Sequence, residues 1–236
     1  MLISSDVYIY FMLTLASLGA IASRKIDFRG GVIGGITASI LFTSNGLFGI
    51  FLIGSFFIIG TLASLYRIHY KAELNLAEAN SSKRGWKNVV SNSGTAALVA
   101  LINIFFPNLL PAEFLVAACF ATALSDTLSS EMGNVTGRCY FSILTFESGK
   151  RGVDGVVSWE GFGWGLVGSG IIGAIYWGFF PSIYDTVVIL LVGFIGNILD
   201  SVLGATLQKK RYLSNHGVNF TSTTAATVIA LLISSW

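Results

Sequence analysis

The sequence has few charged residues and only two cysteines. Charged residues make up 11% of its 236 residues, against roughly 25% in ordinary globular chains, while 53% are hydrophobic and the mean hydropathy is +0.74. So few charges cannot cover the surface of a soluble protein of this length. Cys119 and Cys139 form no metal-ligand or disulfide pattern, and a net charge of +2 is too small to indicate nucleic-acid binding. The composition therefore predicts a protein that lies in the lipid bilayer.

Apolar runs long enough to cross a bilayer occupy most of the chain. A spanning helix needs about 20 mostly apolar residues, and eight segments approach this length. They are 7–22, 30–44, 47–65, 91–106, 113–129, 162–180, 186–207 and 218–236. Only Asn45 and Gly46 separate the second and third segments, which favours a tight helical hairpin. We therefore expect residues 1–236 to form a single all-α polytopic membrane domain with about eight transmembrane helices.

The distribution of basic residues predicts the orientation of these spans. With eight spans, the four loops that contain Lys and Arg all lie on one side. They include Arg24–Arg29, Arg67–Lys87, Arg138–Arg151 and Lys209–Arg211. The loops on the other side contain Glu113 and Asp185 but no basic residue. Because basic loops remain cytoplasmic, we expect a cell-membrane protein with both termini outside.

Two spans end in matching polar stripes on the basic side. Ionisable groups inside spans are costly and mark functional sites by default. The stripes consist of Thr122, Ser125, Asp126, Ser129 and Gly133 in one span, and of Asn197, Asp200, Ser201, Gly204 and Gln208 in the other. Their 3-and-4 spacing places each set on one helix face. Each contains an acid followed by a hydroxyl residue, Asp126-Thr127 and Asp200-Ser201, and the 74-residue offset indicates a weak parallel internal repeat.

The two acids predict a magnesium site. Mg²⁺ is usually held by one or two carboxylates together with waters and substrate phosphates. Because Asp126 and Asp200 come from different helices on the same side, we expect them to converge as metal ligands. The alternative is that both acids simply lie at the hydrated ends of their helices.

The segment 149–165, GKRGVDGVVSWEGFGWG, has six glycines. Glycine lets the backbone approach a ligand closely, and successive amide groups can hold phosphate oxygens, while Lys150 and Arg151 would offset phosphate charge. The segment has no Walker A pattern, and a solvated, turn-rich linker is the alternative interpretation.

Further polar residues lie in the 66–92 loop and at the start of the last span. Part of the loop is expected to form an amphipathic helix on the membrane surface. Asn92 lies on a face of the fourth span where an interhelical hydrogen bond is as plausible as a ligand contact. His69 and His216 are acid-base candidates by residue type, but they lack zinc spacing and are expected to be ordinary polar residues.

The order of four motifs resembles the integral-membrane family that includes plant phytyl-phosphate kinase. The motifs are SDTLSSEMG, GVDGVVSWEGFGWG, DSVLGATLQ and NHGVNF, with DFRGGVIGG at 27–35. The resemblance covers nearly the whole chain and implies phosphorylation of a polyprenyl or phytyl monophosphate by a nucleoside triphosphate, with CTP the expected donor. The site residues that it implies are Asp126, Glu131, Asp154, Ser158, Asp200, Gln208, Asn215 and Asn219. His216 stands where the family is expected to have an acid, and Lys150-Arg151 replaces an apolar or proline-containing approach.

Together, the residues and the resemblance predict a site that faces the cytoplasm. Asp126, Asp200 and Glu131 are its predicted catalytic residues. Its predicted substrate and nucleotide ligands are Asn92, Ser125, Thr127, Lys150, Arg151, Asp154, Ser158, Ser201, Gln208, Asn215 and Asn219. The alternatives are a secondary transporter of a small or anionic solute and another CTP-dependent lipid-phosphate transferase. Polar groups clustered at one face, instead of the midplane, argue against transport.

Overall fold

The structure is a helical bundle with one short β-hairpin, and this computed structural model describes residues 5–74, 76 and 84–234. The helices are α1 (Ser5–Ala22), α2 (Phe28–Leu65), α3 (Ile68–Glu73), α4 (Trp86–Phe105), α5 (Ala112–Thr136), α6 (Trp159–Phe179), α7 (Ile183–Leu203) and α8 (Asn215–Ile233). Strands β1 (Tyr140–Ser142) and β2 (Val156–Ser158) pair antiparallel, and a π-helical turn (Gly204–Gln208) extends α7. Six of the described helices are long and apolar enough to cross a membrane. The predicted all-α membrane fold is confirmed.

Helix α2 consists of two legs that fold back on each other. Gly46 has φ 58° and ψ −144°, a conformation that favours glycine. A Cβ atom on Gly49 would lie 2.6 Å from the carbonyl oxygen of Leu41, although eight residues of continuous helix would separate them by roughly 12 Å. The legs therefore form the hairpin that Asn45-Gly46 predicts. Counting both legs and the shorter α1 gives about eight crossing segments.

The loops that contain basic residues meet at one end of the bundle. The amide of Arg84 donates to the carbonyl oxygen of Lys25 at 3.0 Å, which joins the first two loops. Arg151 donates to the hydroxyl of Tyr70 at 3.3 Å, which joins the second loop to the third. The turn at Gly46 lies at the other end. The end with the basic loops is termed the basic face below.

Helix α5 lies at the centre of the bundle, and residues 114–125 are buried throughout. Its neighbours approach it through small residues. A Cβ on Gly168 of α6 would lie 2.7 Å from the carbonyl oxygen of Leu124, and one on Gly193 of α7 would lie 2.7 Å from the Cβ of Ala121. Such close backbone packing is a common way for helices to associate in a bilayer. It fixes the polar end of α5 relative to α6 and α7.

Several segment boundaries differ from the sequence-based expectation, among them the ends of α5 and the starts of α4, α6, α7 and α8. Helix α4 begins at Trp86 instead of residue 91. Helix α6 begins at Trp159 because the Ser158 side chain accepts a hydrogen bond from the Gly161 amide at 3.1 Å, so the end of the predicted 149–165 loop is helical. In the 66–92 segment the structure has the six-residue α3. Residues 75 and 77–83, among them Glu78, Asn80 and Lys83, lie outside the described residues.

Candidate active site

A cavity of about 350 Å³ lies at the basic face. Its walls are the basic-face ends of α2, α4, α5, α7 and α8, together with α3 and the segment that joins β1 to β2. It collects eleven of the fourteen predicted site residues. These are Asn92, Asp126, Thr127, Glu131, Asp154, Ser158, Asp200, Ser201, Gln208, Asn215 and Asn219. Residues from segments up to 127 positions apart thus share one cavity, which is termed the polar cavity below.

The polar cavity has an acidic lining. Two of its carboxylates, Asp126 and Glu131, come from α5, while Asp200 comes from α7 and Asp154 from the segment that joins β1 to β2. The charges of Glu131 and Asp200 act on Asp126, and the charge of Asp154 acts on Asp200. Among the described lining residues, these four acids face two cations, Lys71 and Arg84. A lining with this charge attracts a cation, or a phosphate ligand that arrives with one.

The two aspartates differ in their hydrogen bonding. Asp200 Oδ2 accepts a hydrogen bond from the hydroxyl of Ser222 at 2.9 Å, which orients the carboxylate from α8. No described residue donates a hydrogen bond to the side chain of Asp126, whose backbone carbonyl accepts from Ser130 at 2.9 Å. The carboxylate of Asp126 is therefore free to bind a ligand in the polar cavity.

The donor set fits a hard cation that is shared with a phosphate ligand. Among residues 5–74, 76 and 84–234, no group of three or more His, Cys, Asp or Glu side chains could hold a metal ion. The described residues therefore contain no metal site formed by protein side chains alone. Mg²⁺ does not need one, because one or two carboxylates and phosphate oxygens commonly hold it. Asp126 and Asp200 supply two carboxylates, and the neighbouring Thr127 and Ser201 supply oxygen atoms, not the sulfur or imidazole that zinc prefers.

Lys71 forms an ion pair with one of the acids that line the polar cavity. In the sequence it is only one of several basic residues in a loop. Its side chain is 2% exposed, and Nζ lies 2.6 Å from Glu131 Oε2. The same ammonium group donates to the carbonyl oxygen of Ala63 at 2.8 Å. Lys71 therefore ties the end of α2 to α5 and holds Glu131 at the polar cavity. Nothing in the sequence distinguishes this lysine from its basic neighbours.

Three helices begin at the polar cavity. Asn88 and Asn92 lie in the first two turns of α4, Ser158 is the N-cap of α6, and Asn215 and Asn219 lie in the first two turns of α8. Helix N-termini carry partial positive charge and unpaired amide donors, so they attract phosphate groups. Asn219 also donates to Asn92 Oδ1 at 3.4 Å, which links α8 to α4 across the site.

The glycine-rich loop of the 149–165 segment lines the polar cavity with backbone, whereas its two basic side chains lie outside the lining. Gly152 and Gly155 line the polar cavity, with φ values of 78° and 76°, and a Cβ atom on Gly155 would collide with Ala205 after α7. Lys150 is exposed and does not line the cavity. Arg151 does not line it either, because its guanidinium group stacks on tyrosine rings. The loop therefore approaches the cavity closely without inserting either basic side chain.

Arg151 stabilises the loop through two tyrosines. Its Cζ atom lies 5.3 Å from the ring centroid of Tyr70 and 5.6 Å from that of Tyr140. Burial raises the pKa of Tyr140, although the charge of Arg151 opposes this shift. The phenol therefore stays protonated and donates to the carbonyl oxygen of Gly133 at 3.0 Å, near the end of α5. This contact connects the loop to the helix that carries Asp126.

Three other polar residues singled out from the sequence lie outside the cavity lining. Ser125 is fully buried, and its hydroxyl has no partner among the described residues. His69 is exposed. His216 is half-buried, and its Nδ1 atom has no hydrogen-bond partner in the described structure. None of the three contributes to the surface of the polar cavity.

Residues 11–227 match the model of a family described as integral membrane protein DUF92. This match includes the four motifs that carry the family resemblance, and it confirms that resemblance. Uncharacterized membrane proteins of Synechocystis sp. and Methanocaldococcus jannaschii are 35% and 32% identical over 231 and 211 residues, which cover 92% and 89% of this chain and 86% and 87% of their own lengths. Protein VTE6, chloroplastic, of Arabidopsis thaliana is 28% identical over 210 residues, 84% of this chain, and the match spans 62% of VTE6. No solved structure matches the chain.

Proposed function

The chain belongs to the integral membrane protein DUF92 family, and we propose that it is a membrane-embedded prenyl-phosphate kinase. It transfers a phosphoryl group from a nucleoside triphosphate, with CTP the expected donor, to a polyprenyl or phytyl monophosphate and forms the diphosphate. The polar cavity carries this proposal, because four carboxylates, two cations and three helix N-termini meet there. Phosphoryl transfer depends mainly on positioning and on charge stabilisation, and it needs little covalent chemistry from the protein.

Asp126 and Asp200 are proposed to hold Mg²⁺ together with nucleotide phosphate oxygens. When bound, the ion neutralises phosphate charge and orients the transferred group. Ser222 fixes the rotamer of Asp200 through its 2.9 Å hydrogen bond, while the Asp126 carboxylate accepts no hydrogen bond from a described residue. The acidic lining supports a nucleotide that enters as a metal complex, because four carboxylates would repel the bare polyanion.

The reaction requires no strong base. A phosphate oxygen of the prenyl monophosphate forms a bond to the γ-phosphorus of the nucleotide. The bond from that phosphorus to the β–γ bridging oxygen breaks, and the nucleoside diphosphate leaves with the electron pair. Arg84 supplies positive charge at the polar cavity. The Asn219 amide donates one hydrogen to Asn92 Oδ1 and has a second for a phosphate oxygen, while Asn92 holds Asn219 in place. Lys71 acts through its ion pair by keeping Glu131 in place.

The proposed location is the cell membrane, with the basic face in the cytoplasm and both chain ends outside. Support comes from the positive-inside rule and from the bundle, where α1 enters and α8 leaves at the end opposite the polar cavity. A site at the basic face would then have access to cytoplasmic nucleotide. A transporter would instead need a site near the midplane that opens in turn to both faces.

The test is an assay of the purified full-length protein in detergent with Mg²⁺. Geranylgeranyl, phytyl and farnesyl monophosphates are each paired with ATP, CTP, GTP and UTP, and the diphosphate product is quantified by mass spectrometry. We expect conversion with at least one pair, fastest with CTP. Failure of every pair, combined with solute accumulation in proteoliposomes that contain the same protein, would replace the kinase proposal by the transporter.

A further inference from the structure

A second cavity of about 220 Å³ lies deeper in the membrane-crossing part of the bundle. It is bounded by α1, by both legs of α2 and by the start of α4, and its lining is almost wholly apolar. The lining comes mainly from the ranges 13–20, 31–38 and 50–57, each of which extends over roughly 10 Å of helix. This cavity is termed the apolar groove.

The apolar groove meets the polar cavity at two residues. Arg84 and Asn88 contribute to the lining of both. The guanidinium carbon of Arg84 lies 5.0 Å from the ring centroid of Phe56, and Phe56 also lines the groove. The backbone of Arg84 is fixed by hydrogen bonds to Lys25 and Asp27, both near 3.0 Å. A cation is thus held where the apolar surface ends and the polar surface begins.

Two of the glycines that line the groove leave its space open. Gly34 and Gly54 line it from the two legs of α2, and a Cβ atom on either would meet no other atom within 4 Å. In contrast to the glycines that let α6 and α7 touch α5, these two are not required for helix contact. A larger side chain at either position would project into the groove and shorten or fill it.

We propose that the apolar groove binds the isoprenoid tail of the monophosphate substrate. The phosphate lies at Arg84 and Asn88, and the isoprene units nearest to it, roughly two over 10 Å of helix, lie between α1 and the legs of α2. The proposal rests on the kinase function and adds the place and direction of the lipid. The substrate has an apolar tail and one anionic end. The apolar groove offers an apolar surface to the tail, and Arg84 supplies a cation where the groove meets the polar cavity. Units beyond the groove extend into the surrounding lipid.

The test compares two groove variants with a matched control in lipid nanodiscs. The groove variants are Gly34→Leu and Gly54→Leu. The control is Gly19→Leu, because Gly19 also lies on a bundle helix with nothing within 4 Å of an added Cβ but does not line the groove. For geranylgeranyl monophosphate we expect each groove variant to raise KM by about tenfold or more, the scale on which apolar pockets discriminate small changes in size. KM for CTP and for dimethylallyl monophosphate should stay at the wild-type value, and the control should resemble wild type throughout.

A direct binding measurement separates this inference from the kinase proposal. Wild-type protein is photolabelled with geranylgeranyl monophosphate that carries a diazirine in its second isoprene unit, and the adducts are mapped by mass spectrometry. Adducts in the ranges 13–20, 31–38 and 50–57 that unlabelled monophosphate removes are the expected result.

Each outcome has a distinct meaning. Groove adducts without any turnover would refute the kinase and leave the groove as a prenyl-phosphate site. Turnover with wild-type KM in both leucine variants, or adducts confined to other helices, would refute the groove alone. Equal competition by phosphatidylglycerol would identify a general lipid site and would also overturn the inference.

Discussion

In the C-terminal region, α5 to α8, Gly168 and Gly193 lie against residues of α5, whereas Gly34 and Gly54 in the N-terminal region, α1 to α4, face open space. A Cβ on Gly168 would lie 2.7 Å from a carbonyl oxygen of α5, while one on Gly34 or Gly54 would meet nothing within 4 Å. Close backbone packing in the C-terminal part holds polar residues at fixed positions. The open space in the N-terminal part forms an apolar groove. The same residue type therefore allows close helix packing beside the polar cavity and leaves the apolar groove open.

The distribution of polar side chains follows the same division. Asp126 and Asp200 come from the C-terminal region, where α5 is buried on all sides. The groove is lined by α1 and α2 with almost no polar atoms, and Arg84 lies at the boundary. For the proposed kinase, this comparison assigns the two metal-binding carboxylates to the C-terminal region and the selection of tail length to the N-terminal region. The predictions below test this assignment, in order of decreasing expected effect.

Asp126→Asn and Asp200→Asn are expected to abolish phosphoryl transfer. Each change keeps the size of the side chain but removes a charge proposed to hold the metal, so we expect kcat to fall by at least about 10²–10³-fold. Turnover at saturating Mg²⁺ and thermal unfolding are both measured, and Glu113→Gln, at the opposite end of α5, is the control. Wild-type turnover in Asp200→Asn would disprove the metal role and the assignment of chemistry to this region.

Lys71→Met is expected to destabilise the junction between the two regions by about 3 kcal/mol, near the lower end for a broken buried ion pair. The value is low because Glu131 is 31% exposed and can be partly hydrated, whereas Lys71 is 2% exposed. Thermal unfolding of Lys71→Met is compared with that of Lys71→Met/Glu131→Gln. The double variant should be more stable than the single one, because it leaves no unpaired charge. Equal stability of the single and double variants would mean that the ion pair between Lys71 and Glu131 does not stabilise the protein.

Gly168→Ala is expected to destabilise the bundle by about 1–3 kcal/mol, the usual cost of forcing an extra methyl group into a packed interface. The added Cβ would press on the backbone of Leu124 and Ser125. Gly178→Ala on the same helix is the control, because an added Cβ there meets nothing within 4 Å. Alanine has the better helix propensity, so the control should be neutral or slightly stabilising. Equal unfolding temperatures in the two variants would show that Gly168 is not packed more closely against its neighbours than Gly178.

Ser222→Ala is expected to lower transfer about tenfold, the lower end for loss of a group that orients a metal ligand. It removes the 2.9 Å hydrogen bond to Asp200 but leaves both carboxylates. The diagnostic readout is the Mg²⁺ concentration that gives half-maximal rate, which should rise, while KM for the prenyl monophosphate stays constant. Ser222→Thr, which retains the hydroxyl group, should recover much of the activity. An unchanged Mg²⁺ requirement in Ser222→Ala would show that Ser222 has only a structural role.

Lys150→Ala is expected to have the smallest effect, less than about threefold on KM for the nucleotide, because an exposed charge outside the site acts only through screened electrostatics. The sequence predicts a phosphate ligand at this position, whereas the structure leaves Lys150 exposed and outside the lining. Nucleotide titrations of Lys150→Ala and wild type decide between the two. A rise of tenfold or more would restore Lys150 as a nucleotide ligand and extend the site beyond the polar cavity.

The polar stripes illustrate what periodicity alone can predict. Spacing of three and four residues places Asp126 and Asp200 on defined helix faces, and both acids line one cavity. The same rule includes Ser125, which lies one residue before Asp126 yet is fully buried away from the cavity. Periodicity identifies the face of a helix, but it does not show which part of that face a neighbouring helix covers. On α5, the covered part of the face is set by the close approach of α6 and α7 at their glycines.

The glycine loop shows a second limit. Its glycines and its position next to the site follow from the sequence, but the two cations do not enter the polar cavity. Arg151 packs on Tyr70 and Tyr140 instead. The reason is a contact across 81 positions in the chain, because Tyr70 belongs to another loop. No local pattern in either loop encodes that contact.

The sequence by itself determines the membrane environment, the helical segments, the turn at Asn45-Gly46 and the grouping of the basic loops at one end of the bundle. These properties depend on the length of apolar runs, on helical periodicity and on charge counts, all of which are local. Only the tertiary structure decides that Lys71 pairs with Glu131 across 60 positions, that Arg84 lies between the polar cavity and the apolar groove, and that the groove exists. In a bilayer, where apolar burial does not distinguish one helix contact from another, close packing of small residues selects the partners. The contacts that build the site therefore depend on shape complementarity between distant segments, and hydrophobic patterning does not record it.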